Sequence, residues 1–443
     1  MSPNENAGFR LRSLEQENRQ LRRAIEELTV INDLARAIGA SLNSQDVMST
    51  IISRSLRAVG AEQGVITLVD EKASQPMKTL VRTMVSSSEH PTYHLDQCIL
   101  GWMHLYKKPL LVNDPPNDDR FQGVRWEESI RSLLCVPLLV KSELKGILTV
   151  CNKKGGGGFT EEDQRLLAII AAQSAQVVEN ARLYEEEQDL IRMKEEVRVA
   201  SEIQMRLLPK SSPRIAGYDI AGTSIPAEVV GGDYFDFIPI EDERLAICLG
   251  DVSGKGLPAA LLMANLQATI RGQALSTMSP GECTGRSNTL LFQSTDTEKF
   301  ATLFYGVLDA RDGRLRYCNA GHEKPFLFSE EEAAVRLEAG GLVLSFVEQF
   351  PYEEGTVSFG PGSVLVVFSD GITDAANRDG EPYGEDRLAG VIRRNRGQPA
   401  AVLVERIVAD VLEHAGDCPQ TDDMTLVVIR NCKSPDAGPT DRS

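Results

Sequence analysis

The chain has 443 residues, 42% of them hydrophobic and 25% charged, with a formal net charge of -17. That length exceeds one ordinary core and points to two or three domains, while the acidity argues against nucleic acid or anionic lipid as partner. No run approaches the ~20 apolar residues of a membrane span. The N-terminus lacks the apolar core of a secretory signal, and the 8 cysteines are scattered without a CxxC pair, so a reducing, cytoplasmic setting is expected.

From Leu11 the apolar residues fall at heptad spacing (Leu11, Leu14, Leu21, Ile25, Leu28), with Asn18 at an a-type position. This period predicts a coiled coil over residues 1–29 and a homodimer; the alternative is a surface helix packed on its own domain. Residues 30–182 mix helical and strand periodicities. Helices are expected over 30–40 and 45–59, and strands over 64–70, 78–85, 108–114, 132–140 and 144–154. After the GGGG at 155–158, Thr160 and Asp163 have the spacing of a capping box. The helix they open contains no Gly or Pro before Pro209, so its distal part, 183–209, reads as a connecting or switch helix paired with a dimer mate.

Pro213 opens a second regime in which strand-like runs dominate, with helices around 258–271, 384–395 and 399–414. Sheets packed on each other and flanked by helices are expected from 210 to 432. The polar tail, 433–443, reads as disordered.

Within this second regime, RLAICLGDVSGKGLPAALLMAN (244–265) is laid out as strand, Gly-Lys loop and helix, the order of a phosphate-binding loop. The loop fails the test, because Lys255 is followed by Gly256 rather than Ser or Thr and the preceding glycines are misplaced. Aspartates at strand ends are the stronger signal. Asp233 lies in VVGGDYFDF, Asp251 follows LAICLG, Asp370 follows SVLVVFS, and Asp422 and Asp423 precede MTLVVIR. One such aspartate is more often a cap or turn residue. Several in one domain, most beside glycine, can converge on one edge of an antiparallel sheet. Hard oxygen donors without His or Cys select Mg²⁺ or Mn²⁺ over zinc, and a pair of such ions serves in-line attack on phosphorus.

The ordered motifs VGGDYFDF (230–237), GDVSGKGLPAALLMA (250–264), FATLFYGVLD (300–309), NAGHEKPFL (319–327), SDGITDA (369–375) and DDMTLVV (422–428) resemble the SpoIIE/RsbU branch of the PPM metal-dependent serine/threonine phosphatases. The AxEIQxxLLP stretch at 200–209 is similar to the helix leading into that branch. The middle unit resembles a GAF domain, through DDRF (118–121), SLLCVPL (132–138), KGILTVCNKK (145–154) and the exit helix. Asn152, Lys153, Phe159 and Asp163 are similar to part of the NKF(D/E) pattern of cyclic-nucleotide GAF domains, but Gln164 stands at the last acidic position and a strand end and turn is the favoured account of Asn152 and Lys153.

These resemblances imply an α+β multidomain chain: a GAF α/β sensor domain at 30–182, a long connecting helix, and a PPM-type β-sandwich flanked by helices at 210–432. They imply a phosphoserine or phosphothreonine phosphatase using two Mn²⁺ or Mg²⁺ ions. Asp233 and Asp251 would be catalytic; Asp251 would bridge both ions, joined by the Val252 carbonyl. Asp370 and Asp422 would hold the second ion and Asp233 the first, with Asp423 behind them. Lys255 and His322 are candidate substrate contacts. Ser253 stands where the eukaryotic branch has a histidine, and Val343 and Ser345 depart from the G-x-P-L-G-like turn. The implied substrate is a phosphorylated STAS-type anti-anti-sigma protein in a partner-switching pathway, with a GAF ligand left open. The alternatives are a catalytically silent PPM-like scaffold and a cyclic-nucleotide-binding GAF regulator.

Overall fold

The computed structural model describes residues 44–69, 81–85 (backbone), 97–122, 124, 126–240, 243–276, 279–296, 298–329 and 334–432. The coiled coil expected over 1–29, the helix over 30–40 and the tail over 433–443 lie outside them. The chain divides into two compact units, residues 1–192 and 193–443, cut within one helix.

In the first unit, helix α1 (Ser44–Val59) leads into a sheet of β1 (Ala61–Leu68), β2 (Val81–Val85), β3 (Leu110–Val112), β4 (Leu133–Val140) and β5 (Glu143–Lys153). Helix α2 (Gln97–Tyr106) precedes β3, and the strand order is β2-β1-β5-β4-β3, antiparallel throughout. Side chains alternate across a strand, and β4 shows the consequence. Leu134, Val136 and Leu138 pack with Ile51 and Ile52 of α1 and with Leu167 and Ile170, whereas Leu133 and Cys135 pack with Ile99 and Met103 of α2.

Leu167 and Ile170 belong to α3 (Glu161–Met205). Its start is the expected capping box: Thr160 Oγ1 accepts from Asp163 N at 3.2 Å, and Asp163 Oδ2 accepts from Thr160 N at 2.9 Å. Lys153 Nζ donates to the Asp163 carboxylate at 2.8 and 2.9 Å and to Val59 O at 2.9 Å, tying β5, α3 and α1 together. Asn152, at φ +61°, accepts from Arg131 N and donates to Ser129 O. Both side chains are thus engaged in holding a strand end and its turn.

The second unit is a sandwich of two sheets. One is built from β7 (Tyr234–Ile240), β8 (Arg244–Val252), β9 (Ala301–Asp309), β10 (Arg314–Ala320), β13 (Gly340–Gly341) and β14 (Gly355–Ser358). The other has the order β12 (Val335–Arg336), β11 (Phe326–Phe328), β15 (Val364–Phe368), β16 (Met424–Asn431), β6 (Tyr218–Ile225). The first sheet is covered by α4 (Gly256–Ala274) and α5 (Pro280–Ser294). A one-turn helix, α6 (Asp370–Thr373), follows β15, and α7 (Glu385–Asn395) and α8 (Ala400–Ala415) cover the second sheet.

Strands buried on both faces read as continuous apolar runs. In β15, Leu365 and Val367 face the inter-sheet core with Val427 and Ile429 of β16. The alternate residues Val364, Val366 and Phe368 face Leu388, Ile392, Leu403 and Ile407 of α7 and α8.

Candidate active site

The antiparallel pairing of β7 with β8 and of β15 with β16 fixes where the aspartates lie. Asp233 immediately precedes β7 and Asp251 is the penultimate residue of β8; Asp370 follows β15 and Asp422 precedes β16. All four therefore occupy one edge of the sandwich. Gly371 permits the closest approach there, since a β-carbon on it would meet Asp423 O at 2.1 Å. Ser369 Oγ completes that join, donating to Asp423 O at 3.0 Å and accepting from Thr425 N at 2.9 Å.

Burial and like charge set the acidity of the group. Asp233 is 4% exposed and is raised well above the usual carboxylate range by burial and then by Asp251. Asp251 is pushed up to about 7 by burial and then by Asp370 and Asp422. Asp370 is raised by burial and then by Asp422 and Asp374. Buried carboxylates that repel one another favour protonation unless cations offset them. Asp233 Oδ2 is buried without a hydrogen-bond partner, a cost that a bound cation removes. Among the described residues no three His, Cys, Asp or Glu side chains close round one point as a finished metal cage would. The fit is to an oxygen-only set that main-chain carbonyls and water must complete, the habit of Mg²⁺ and Mn²⁺.

Asp423 does different work from its neighbour. Its carboxylate accepts from Ala227 N (2.8 Å), Gly232 N (2.6 Å) and Asp233 N (3.2 Å). It staples the glycine loop of residues 231 and 232 to the start of β16 and sets the backbone at Asp233. Asp422 is half-exposed, accepting from Asp423 N at 2.9 Å.

Lys255 Nζ donates to Thr421 O and lies 3.4 Å from Asp422 Oδ2. In this arrangement its charge is turned onto the carboxylates. His322 is 7% exposed and reaches Asp251 only indirectly. Its Nδ1 is 2.8 Å from Thr302 Oγ1, which accepts from Asp251 N at 3.3 Å. Burial pushes the imidazole down to about 4, so it is neutral near pH 7. Ser253, at the histidine position of the eukaryotic branch, accepts from Phe300 N through its hydroxyl at 3.0 Å.

Two contributors, Thr302 and Gln204, had no role in the sequence reasoning, and a third, Ser345, stood there only as a departure from the family turn. Thr302 connects His322 to the Asp251 backbone; no strand pattern could single it out from its neighbours. Gln204 lay within the recognised 200–209 stretch without an assigned role. Its side-chain amide donates to Gly231 O at 2.6 Å and accepts from Gly231 N at 3.1 Å, gripping the loop that precedes Asp233. Ser345, one of the two departures noted above, is buried at φ +68°. Its N–H donates to Asn288 Oδ1 at 2.8 Å and its hydroxyl pairs with Thr295 Oγ1, bonds a glycine could only half replace.

Comparison with known proteins agrees with both units. Residues 241–431 match the model of Stage II sporulation protein E (SpoIIE), and residues 41–179 match a GAF domain. The phosphoserine phosphatase RsbU of Bacillus subtilis (strain 168) is 31% identical over 239 residues, covering 54% of this chain and 70% of that protein. Protein IcfG of Synechocystis is 28% identical over 261 residues, but the chain spans only 41% of its length. Among solved structures, the SiaA-PP2C domain of Pseudomonas aeruginosa is 24% identical with a TM-score of 0.49, covering 55% of this chain and 98% of that one. No helix among the described residues is long and apolar enough to cross a membrane. With RsbU 31% identical and matched over more than two thirds of its length, the chain belongs to the SpoIIE/RsbU family of metal-dependent, PPM-type serine/threonine phosphatases and carries a GAF domain ahead of the phosphatase domain.

Proposed function

We propose that this protein is a GAF-regulated phosphoserine or phosphothreonine protein phosphatase that uses two divalent ions, Mn²⁺ or Mg²⁺. The observation that carries the reading is the gathering of Asp233, Asp251, Asp370 and Asp422 on one edge, with Asp233 Oδ2 buried and unpartnered. Asp251 and the Val252 carbonyl, with Asp233, Asp370 and Asp422, would hold the ions. When bound, such a pair supplies an activated water and stabilises charge in an in-line attack on phosphorus. The chain's own part is to hold those oxygens rigidly: Asp423 and Gln204 fix the loop before Asp233, and Thr302 with His322 supports the backbone of Asp251.

The substrate we infer is a phosphorylated STAS-type protein of a partner-switching pathway, as the kinship with RsbU suggests. Regulation would run from a signal or partner at the GAF domain, through α3, to the glycine loop, a route supported by the Gln204 grip on Gly231. GAF substitutions that leave regulation unchanged in a reconstituted assay would remove that part of the reading.

The test of catalysis is hydrolysis of p-nitrophenyl phosphate by the full chain in Mn²⁺. Activity should vanish with chelator, return with Mn²⁺, and fall by at least about 10³-fold in Asp251→Asn, a loss of roughly 4 kcal/mol of transition-state stabilisation. A wild-type chain that binds no metal and turns over neither this ester nor a phosphoprotein is instead a signalling scaffold.

A further inference from the structure

Two ammonium groups approach the turn that follows Asp251, and they are used differently. Lys255 is committed to Thr421 O and the Asp422 carboxylate. Lys299 is half-buried and carries no ion pair among the described residues. Its position is fixed by the residues beside it. Ser253 N donates to Phe300 O at 2.9 Å and Phe300 N donates to Ser253 Oγ at 3.0 Å, strapping this segment against the turn. Gly254, in the turn, has φ +102°, and a β-carbon built on it would meet Lys299 Nζ at 3.0 Å. The ammonium therefore lies directly over the turn, two and three residues beyond Asp251, where the backbone angle of Gly254 favours glycine.

The charge balance gives this lysine a task. Divalent ions would do little more than offset Asp233, Asp251, Asp370 and Asp422, and Glu323 and Asp374 add further negative charge around Asp370. A phosphate monoester dianion entering that edge needs a protein cation not already neutralised. Lysine suits the role as a compact point charge with three donors.

We propose that Lys299 receives the substrate's phosphoryl group, its ammonium binding the non-bridging oxygens beside Asp251. This inference rests on the phosphatase reading above. The test is steady-state kinetics of the full chain in saturating Mn²⁺, on p-nitrophenyl phosphate and on a phosphoserine peptide, with inorganic phosphate as competitive inhibitor. Lys299→Gln should raise KM for both substrates and Ki for phosphate about tenfold, the scale of one charge-assisted hydrogen bond at a half-exposed site. Lys299→Arg should keep all of these within about threefold of wild type, since the charge remains. Unchanged KM and Ki in Lys299→Gln, with an active wild type, overturn the assignment, as does an equal rise in the arginine variant. A fall in kcat confined to the phosphoserine peptide overturns it in favour of proton donation to the serine oxygen, which nitrophenolate leaves without needing. A wild type inactive on both substrates overturns the phosphatase reading and this one with it.

Discussion

Asp422 and Asp423 are adjacent acids in one motif, yet their surroundings give them separable roles. Asp423 is 7% exposed and satisfies three backbone N–H groups; Asp422 is half-exposed among like charges. Removing Asp423 strands those donors, so Asp423→Ala should destabilise the phosphatase unit by about 2–3 kcal/mol. Asp422→Ala should leave stability within about 1 kcal/mol of wild type, because it also relieves repulsion of Asp370. Both variants should lose Mn²⁺-dependent turnover, but only Asp423→Ala should shift the denaturant midpoint; equal shifts would dissolve the distinction. The sequence made the pair legible as strand-edge acids, because the apolar run that follows them is a local signal. Their order, Asp422 ahead of Asp423, came only from the family resemblance, because which carboxylate turns inward depends on residues almost two hundred positions away. Ser345 is a similar case. A positive φ at a non-glycine is invisible in sequence, and its departure from the family turn acquires a reason only beside Asn288 and Thr295.

Among the elements, those with strong period or paired signals were the readable ones. The capping box at Thr160 and Asp163 predicted the start of α3, and alternating or continuous apolar runs predicted β8, β15 and β16. Helix α5 was not expected, although its sequence carries a start signal: Ser279 caps Glu282 N, with Pro280 next. Its buried face is Cys283, Thr284, Ser287, Asn288 and Leu291, too polar to show an apolar stripe. The far end of α3 was placed at Pro209, whereas the helix stops at Met205 and continues as turns closed by Arg206 N to Ile203 O and Leu207 N to Gln204 O. Those last residues matter because Gln204, 7% exposed, is the point where the helix grips Gly231. Gln204→Ala should therefore loosen the loop before Asp233 without removing any acid. We expect the Mn²⁺ concentration for half-maximal activity to rise about five- to tenfold, with turnover at saturating Mn²⁺ recovered to within about twofold. A drop in turnover that excess metal does not restore, or no change at all, would contradict a positioning role.

For the whole molecule, the expected order of domains is legible because each family's motifs are local and ordered along the chain, and the matches at 41–179 and 241–431 fall in that order. The association state is less accessible, since nothing in a single sequence distinguishes a helix that packs within its own chain from one that meets a copy. The segment of α3 after the GAF match is informative here. Leu183, Leu190, Ile191 and Met193 are exposed by 49%, 59%, 53% and 61%; Leu183, Leu190 and Val197 recur every seven residues, and Met193 and Ala200 follow the last two of them at a spacing of three. Apolar residues at this spacing, left uncovered on one chain, are the pattern by which two helices bury a common seam. We infer a homodimer in which α3 takes part alongside the heptads of residues 1–29. Light scattering at micromolar concentration should give twice the chain mass for wild type. Replacing Leu190 and Met193 with Glu places like charges on the seam and should weaken the dimer by at least about tenfold. Because both side chains are exposed, the melting of the isolated chain should not change by more than about 1 kcal/mol. A dimer that survives this pair and is lost only when Leu14 and Leu21 are also replaced would assign the contact to residues 1–29 alone. In that case a signal at the GAF domain could not act by changing how two copies of α3 meet, and Gln204 would have to be moved from within its own chain.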